Sequence, residues 1–463
     1  MNHLQKLHLT FWRTVAAHIV KAHEAVLMKC EKMYVQSLAN LGSRLILVLI
    51  SLEPLSPRLN TRAKATANVT KLKPVYNFGR NFLGLDKCNA CIGTSLCRKF
   101  FKEEIRFENW LSAGLRLPPS HKKTYFANYT ADTENWKPVV ISRLQSKFQN
   151  ELSDWKICTS ASKKVTCSIE NVLRGTERFQ KWLAADRLTT DLVQSLSSPL
   201  LRCPSQRLLD RIVRRYAEVR DSGSVLMRHF TERDKLRLLY TLSVNTHPIV
   251  LQLFPGIEGW PFLRYFGSCG RVIVTPRTNP IREFYTASLE VIVDIAYQLL
   301  QITHSLENND LNYFFYYTSV HDKMFGTFED GRLYITDTSS IGIIDKQKDK
   351  EFVQEIKGKK DVFSCLASDC EMQHTPCGEI SEAQNFIIVC RDLLSNLLAD
   401  KFKSSPSLQK QIDTFLRLCS DDSLSANVTL KAADSLMQLL KSQRSCDPHF
   451  EYRYPECKYV KGY

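Results

Sequence analysis

The chain has 463 residues, of which 44% are hydrophobic and 24% charged, with 17 Gly and 17 Pro. These values exclude a disordered tail, a collagen-like or coiled-coil chain and a low-complexity segment, and they predict a globular protein of one large or two to three modest domains. The net charge of +15 is spread along the chain. Such a diffuse charge predicts solubility and weak affinity for polyanions, and it does not favour a nucleic-acid-binding protein.

The cysteine content and the glycosylation sequons indicate an oxidising compartment. The chain has 15 cysteines, more than an ordinary cytosolic enzyme uses, because thiols stay reduced in the cytosol. Asn-x-Ser/Thr acceptor sites occur at Asn68, Asn128 and Asn427. We therefore expect a glycoprotein of the secretory pathway that is secreted into the extracellular space. Retention in the lumen of the Golgi or endoplasmic reticulum by a signal anchor is the alternative.

Residues 1–57 are interpreted as a leader. Its apolar run, residues 45–52, follows Arg44 and has the length of a signal-peptide core, whereas a transmembrane helix needs about 20 apolar residues. We therefore expect a signal peptide and no stable membrane span in the mature chain. The stretch before the apolar run is unusually long, and Met28 and Met33 offer later starts. The first three dozen residues are therefore interpreted as a gene-model extension or an unusual leader.

A basic, polar linker, residues 58–75, and a cysteine-rich segment, residues 76–120, follow the leader. Cys88 and Cys91 have the C-x2-C spacing of a zinc knuckle, but no second such pair and no His pair follows closely. The oxidising compartment favours a disulfide over a metal site here.

Every cysteine after the leader is a disulfide candidate. Cys158 and Cys167 bracket a Ser/Lys-rich loop and are predicted to pair with each other, whereas the remaining connectivity cannot be deduced from the sequence. Without the leader and its Cys30, the number of cysteines is even, as full pairing requires. The candidates are Cys88, Cys91, Cys97, Cys158, Cys167, Cys203, Cys269, Cys365, Cys370, Cys377, Cys390, Cys419, Cys446 and Cys457.

Hydrophobic periodicity predicts a chain of mixed α and β structure. The arginine-rich helix, residues 207–220, is interpreted as packed on the core with a solvated basic face; binding of phosphate or of a membrane surface is the alternative. In chain order, the predicted elements are two strands (125–129 and 139–144), four helices (145–157, 169–183, 207–220 and 231–244), two strands (248–254 and 271–276), a long helix (287–306), a strand (313–317), a hairpin that ends at Asp337, and three helices (382–400, 407–419 and 428–441).

Several common catalytic motifs are missing from the sequence. It has no Walker loop, no dinucleotide fingerprint, no H-E-x-x-H and no G-x-S-x-G elbow. Residues 267–270 place a serine and a cysteine between two glycines. Because no base can be assigned to a nucleophile there, we interpret them as a structural turn with a disulfide-bonded cysteine.

The order of the elements favours an α+β, protein-kinase-like bilobal fold. Its N-lobe, with a helical insertion, would span residues 121–276, and a helical C-lobe would span residues 277–463, after the disulfide-rich N-terminal segment. Phosphoryl transfer needs a strand lysine, a helix glutamate, a base aspartate, and an Asn and Asp pair that holds magnesium. Asp337 lies at a strand end, where the second metal aspartate is expected, and a turn aspartate that caps the next segment is the alternative.

Four motifs that contain cysteine, glycine or tryptophan are distinctive: residues 87–97, 203–211, 258–261 and 267–271. In these motifs the sequence resembles the divergent protein kinase domain proteins of the secretory pathway, and within them the deleted-in-autism subgroup. The match runs from about residue 77 to the C-terminus. This resemblance implies a secreted or lumenal, disulfide-bonded, bilobal kinase-like protein.

Carried over residue by residue, the resemblance implies a damaged kinase site. Ser142 stands where relatives with a fuller motif have the strand lysine, and a serine cannot hold phosphate as an ammonium does. Thr318 stands at the position of the base, Asp322 at that of the second catalytic-loop aspartate, and Lys323 at that of the metal asparagine. Of the two metal-ligand positions, Asp337 alone is kept, as a candidate metal ligand. Asp322 is a possible substitute for the missing carboxylate, and Lys323 a candidate for direct contact with a nucleotide phosphate.

Charged residues near position 142 do not restore the strand lysine. Arg143 is expected on the other face of the strand, and Lys147 would have to reach from the following helix. Glu151 is a candidate for the helix glutamate, although without its lysine we interpret it as a surface residue.

Three hypotheses about function follow. The leading one is a pseudokinase that acts by binding an unknown partner protein or receptor, with impaired or absent phosphotransfer. The second is an atypical secretory-pathway kinase or nucleotide-dependent transferase with a rewired site, which would use ATP with Mg²⁺ or Mn²⁺. The third is a secreted signalling ligand on a kinase-like scaffold.

Overall fold

The computed structural model describes residues 79–108, 123–132, 134–161, 167–219, 223–347, 361–366 and 377–444, which belong to a unit spanning residues 74–463. Within these ranges, no helix is long and apolar enough to cross a membrane. The leader and linker predicted from the sequence lie outside the described residues, and so do the sequon at Asn68, the cysteines Cys370, Cys446 and Cys457, and the side chain of Cys365.

A five-stranded antiparallel sheet forms the N-terminal lobe, and it confirms the strands predicted near residues 125, 139 and 271. In β3, Val139 and Ile141 are fully buried and pack with apolar residues of the cysteine-rich segment, so the alternation of the strand produces a buried face. The strands are β1 (Ile105–Phe107), β2 (Thr124–Tyr129), β3 (Lys137–Arg143), β4 (Gly267–Cys269) and β5 (Val272–Pro276), in the spatial order β1-β2-β3-β5-β4.

The cysteine-rich segment contains two short helices, α1 (Arg80–Leu83) and α2 (Cys97–Phe101), and is tied to the edge of the sheet. A disulfide joins Cys97 to Cys269 of β4. Gly270 follows β4 with a φ of +59°, and a Cβ there would lie 2.0 Å from the carbonyl oxygen of Leu83. The close approach of the two backbones therefore requires glycine at this position.

A helical insertion separates β3 from β4. Two of its helices begin with a capping box: Ser146 and Gln149 form one at α3 (Lys147–Ser160), and Thr231 and Asp234 form another at α8 (Glu232–Val244). The helices are α3 (Lys147–Ser160), α4 (Ile169–Arg174), α5 (Glu177–Ala184), α6 (Thr190–Val193), α7 (Gln206–Arg215), α8 (Glu232–Val244) and α9 (His247–Leu253).

Two predictions in the insertion were wrong. The single helix expected over 169–183 is two helices, because the chain breaks at Gly175 and the side chain of Thr176 caps α5. The strand expected over 248–254 is helix α9, with Pro248 in its first turn, where proline loses no intrahelical hydrogen bond. A short buried apolar run fits either element, so the pattern could not decide between them.

The arginine run of α7 agrees with the interpretation of a core-packed helix. Arg207 pairs with Asp345, and Arg211 donates to the carbonyl of Leu253 at 2.7 Å. Arg215 pairs with a glutamate at 2.7 Å, so most of the run is used in contacts within the protein. On the opposite side, the buried residues are Leu208, Leu209, Ile212 and Val213.

The C-terminal lobe is built on the long helix α10 (Leu289–Glu307) and confirms the predicted order of elements. The helix expected over 382–400 is divided into α11 (Gln384–Val389), a π-helical turn at Cys390–Leu394 and α12 (Ser395–Leu398). The strands are β6 (Asn279–Pro280), β7 (Tyr313–Tyr317), β8 (Phe325–Thr327), β9 (Leu333–Ile335) and β10 (Ile341–Asp345), with β7 paired to β10 and β8 between β6 and β9. The later helices are α11 (Gln384–Val389), α12 (Ser395–Leu398), α13 (Pro406–Ser420) and α14 (Ala426–Ser442).

The disulfides include both local pairs and pairs between segments that are distant in sequence. The expected pairing of Cys158 with Cys167 is confirmed, and Cys88 and Cys91 form a disulfide, which confirms the choice against a zinc knuckle. Cys269 is also disulfide-bonded, as the interpretation of residues 267–270 requires, although these residues include strand β4 and are not only a turn. The remaining described pairs are Cys203–Cys377 and Cys390–Cys419.

Candidate functional site

Asp337 lies two residues after β9, at the junction of the two lobes. Its Oδ1 accepts a hydrogen bond from the backbone N of Ser339 at 3.0 Å, and its Oδ2 lies 3.8 Å from Nζ of Lys123. Burial would raise the pKa of Asp337, but His247, Lys123 and the contacts with Ser339 outweigh this effect and lower the pKa to about 2. Asp337 is therefore ionised at neutral pH.

Lys123 belongs to this site, although the sequence reasoning missed it. It immediately precedes β2, and its carbonyl accepts a hydrogen bond from the backbone N of Arg143 at 2.8 Å. The next residue, Thr124, is the register partner of Ser142, so Lys123 lies beside the strand position at which a lysine was sought. The only signal in the sequence is the basic run of residues 121–123, which precedes a predicted strand.

The other residues near position 142 behave as the sequence predicted. The guanidinium of Arg143 lies over the ring of Phe82, with 5.1 Å between its Cζ and the ring centroid, on the face of β3 away from the site. Lys147 and Glu151 form an exposed ion pair at 3.7 Å on α3. Glu151 is thus a surface residue, and neither member of the pair contacts Asp337 among the described contacts.

His247, the first residue of α9, fixes the segment that follows Asp337. Its Nδ1 accepts a hydrogen bond from the backbone N of Thr338 at 3.0 Å and lies 2.9 Å from the Thr338 hydroxyl. A backbone N–H can only donate, so Nδ1 carries no proton and the neutral ring is protonated on Nε2. Burial lowers the pKa of His247, and the nearby Asp337 opposes this effect. The sequence reasoning missed this contact because it predicted a strand from residue 248.

The start of α9 is in turn tied to the end of β3. Asn245 donates from Nδ2 to the carbonyl of Leu144 at 3.0 Å and accepts from the backbone N of His247 at 2.9 Å. These hydrogen bonds connect the end of the strand, the helical insertion and Thr338, so the backbone that follows Asp337 is held by contacts with both elements.

The candidates of the catalytic loop lie on the segment between β7 and β8, close in the fold to Asp337. Thr318 is exposed, and its hydroxyl donates to the carbonyl of Ser340 at 3.0 Å. Asp322 is half-buried, with Oδ2 4.0 Å from the guanidinium of Arg282. Lys323 has an exposed side chain, and its carbonyl accepts from the hydroxyl of Thr336 at 3.1 Å. The structure therefore brings residues 318 and 323 to the segment that contains Asp337.

The donor set around Asp337 does not fit a divalent metal ion. Magnesium takes oxygen ligands in near-octahedral geometry. Among the residues that the structure describes, no three His, Cys, Asp or Glu side chains lie close enough to one another to hold a metal ion. The carboxylate of Asp337 faces an ammonium instead of a second carboxylate. We derive no metal-dependent step from this site.

The two described sequons differ in their surroundings. Asn128 is half-buried in β2, where it pairs with Pro138 of β3. Asn427 is exposed in the first turn of α14, next to the buried Thr429 of its sequon. The position in α14 thus offers the more open acceptor.

Comparison with known proteins identifies relatives of this architecture. A family model described as the protein-kinase domain of FAM69 matches residues 239–422, from α8 to the end of α13. Divergent protein kinase domain 2B of Homo sapiens is 57% identical over 391 residues, which cover 84% of this chain and 90% of that protein. The protein of the same name from Mus musculus is 56% identical over 391 residues, with 84% and 89% coverage. Divergent protein kinase domain 2A of Xenopus tropicalis is 36% identical over 326 residues, with 68% and 75% coverage.

Proposed function

Because the chain belongs to the divergent protein kinase domain family, we propose that it is a pseudokinase of the secretory pathway that acts by binding a partner protein. In this proposal the kinase-like fold serves as a scaffold, and phosphotransfer is strongly impaired or absent. The partner is a protein or receptor of the lumen or the cell surface.

The observation that carries the proposal is the side chain at position 318. A protein kinase uses an aspartate there to receive the proton of the substrate hydroxyl. A threonine hydroxyl is neither basic nor ionised near neutral pH, so it cannot take that proton. The hydroxyl of Thr318 also donates its own hydrogen to the carbonyl of Ser340 at 3.0 Å.

Two further positions support the loss of catalysis. Ser142 offers a hydroxyl where a lysine would hold phosphate oxygens, and Lys323 brings a positive charge to the position of a metal ligand. The groups that perform phosphoryl transfer act as a unit, so losing several of them removes little more than losing one. Any restoration of activity would therefore require several substitutions together.

The disulfides support the secretory compartment. Cys97–Cys269 and Cys203–Cys377 each join residues more than 170 positions apart, and such bonds persist in oxidising compartments. The exposed Asn427 agrees with a glycosylated surface. Secretion into the extracellular space is the location we propose, with lumenal retention as the alternative.

The pair of Lys123 and Asp337 favours a second candidate function. It places an ammonium beside the aspartate that the family motif retains. An atypical kinase or nucleotide-dependent transferase with a rewired site would use this pair, with Asp322 in place of the missing base. A secreted signalling ligand on the same scaffold is the third candidate, and it would need neither residue.

Binding of the purified, glycosylated protein to intact cells and to opened secretory vesicles tests the leading proposal. We expect saturable binding that persists at high salt and is unchanged by Asp337→Ala, because partner binding needs no phosphotransfer. Protein with reduced disulfides is the control and is expected not to bind. Binding that fades as salt rises would indicate only attraction to the basic surface and would contradict the proposal, as would the absence of saturable binding.

A further inference from the structure

We propose that the site around Asp337 binds the phosphate groups of a nucleotide without a divalent metal ion, through the ammonium groups of Lys123 and Lys323. This inference goes beyond the proposed function, because partner binding requires no nucleotide. It also differs from the mode of an active kinase, in which metal ions bridge the phosphate oxygens and neutralise their charge.

The charge of the site supports a metal-free mode. Lys123 lies beside Asp337 and Arg282 beside Asp322, so each carboxylate already faces a cation. Lys323, whose backbone contacts Thr336, is a third cation, and these five residues together carry one net positive charge. Active kinases collect carboxylate and amide oxygens at this place because the metal ions supply the positive charge. Here the positive charge is built into the chain, so an anionic group can be bound with no metal present.

Lys123 has a fixed backbone and an exposed ammonium group, as a contact with phosphate requires. Its backbone is held by the hydrogen bond from Arg143, whereas its side chain is 47% exposed. The 3.8 Å between its Nζ and the carboxylate of Asp337 is longer than a hydrogen bond. The three donors of the ammonium therefore remain available for phosphate oxygens.

Lys323 lies on the segment between β7 and β8, next to the residue that precedes Asp337. Its carbonyl accepts a hydrogen bond from the hydroxyl of Thr336, and its side chain is exposed. In the proposed mode this exposed lysine supplies the second ammonium group, and a triphosphate carries enough negative charge along its length to bind two of them.

A metal-dependent site and a metal-free site respond in opposite ways to the loss of Asp337. If a metal ion holds the phosphates, Asp337→Ala removes a metal ligand and abolishes binding. If the lysines hold them, Asp337→Ala removes a competing negative charge and leaves binding intact or tighter. Lys123→Ala should weaken binding about tenfold, as the loss of one charge-assisted hydrogen bond does.

Nucleotide-dependent stabilisation of the full, glycosylated chain measures these effects. A ligand that binds only the folded state raises the melting temperature according to its occupancy. We expect ATP in the presence of EDTA to raise the melting temperature, and Mg²⁺ to add nothing. The rise should shrink in Lys123→Ala and in Lys323→Ala, persist in Asp337→Ala, and be weak or absent with adenosine. Lys147→Ala is the matched control, because it removes an exposed lysine that does not contact Asp337.

Three outcomes would overturn the inference. One is no rise with millimolar ATP in EDTA. Another is a rise that requires Mg²⁺ and disappears in Asp337→Ala, which would indicate a metal site. The third is an equal loss in Lys147→Ala and Lys123→Ala, which would indicate general attraction of ATP to a basic surface. None of these three outcomes bears on the proposed function. The proposed function fails only if phosphate transfer is observed or if no partner binding is found.

Discussion

Glu307, at the end of α10, makes the stability of the protein depend on pH. Its side chain is buried, with the residue 7% exposed, and its carboxylate accepts a hydrogen bond from Nδ2 of the fully buried Asn385 at 3.3 Å. Nζ of Lys346 binds the backbone carbonyl of Glu307 at 2.8 Å. Burial raises the pKa of Glu307 to about 8, although Asn385 and Lys346 oppose the shift. The folded protein therefore holds a proton here at neutral pH.

The sign of the effect follows from proton linkage. An unfolded chain releases this proton near the ordinary value of 4.5, whereas the folded chain keeps it up to about 8. Between these limits the folded state binds more protons, so the free energy of unfolding falls as pH rises, by about 1.4 kcal/mol per pH unit. From pH 5 to pH 8 the loss attributable to Glu307 is on the order of 4 kcal/mol. Below pH 4.5 the contribution is fully present.

Glu307→Gln removes this dependence and keeps the shape of the side chain. Denaturant unfolding with intact disulfides, at several pH values from 5 to 8, measures the free energy of unfolding of both chains. The difference between them isolates Glu307, because the other titrating groups are common to both. We expect the variant to be the more stable chain at pH 8 and the two to converge toward pH 5. Parallel pH profiles would refute the reasoning.

Two further substitutions test the packing of the lobes by the same unfolding measurement. Gly270→Ala would place a Cβ 2.0 Å from the carbonyl oxygen of Leu83. It should lower the free energy of unfolding more than Gly259→Ala does, because Gly259 also has a positive φ, +87°, but faces open space. Equal losses of stability in the two variants would contradict the close approach of the backbones at Gly270. The carboxylate of Asp294 lies 3.1 Å from the guanidinium of Arg444, whose side chain is 5% exposed. Asp294→Ala removes this carboxylate from a buried ion pair and should lower the free energy of unfolding by about 3–5 kcal/mol. A loss below about 1 kcal/mol, typical of an exposed pair, would show that this pair is not buried.

Elements with strong local signals could be predicted from the sequence. The aromatic strand at 313–317 coincides with β7, and the helix at 231–244 coincides with α8, whose capping box marks its start. In β7 the run of aromatic residues, which favour strands, indicates the element, and in α8 the capping residues Thr231 and Asp234 mark the start of a helix. Helix α9 shows the opposite situation, because six of its seven residues are buried and its short apolar run has no distinguishing period.

The candidate site was predictable only in part, because its contacts are tertiary. Asp337 could be placed at a strand end from the turn that precedes it. Lys123 could not be assigned to the site from the sequence, because its position beside Ser142 depends on the register of β2 against β3, which the sequence does not specify. The contact of His247 with Thr338 spans 91 residues and depends on the packing of the helical insertion.

Transfer of phosphate from ATP tests the central claim most directly. The purified wild-type chain, with Mg²⁺ or Mn²⁺ and a set of lumenal protein substrates, would be compared with Asp337→Ala under the same conditions. Because Thr318 cannot act as a base, we predict that phosphate incorporation and ATP hydrolysis by the wild-type chain equal those of Asp337→Ala. Metal-dependent transfer by the wild-type chain that is lost in Asp337→Ala would contradict the pseudokinase proposal.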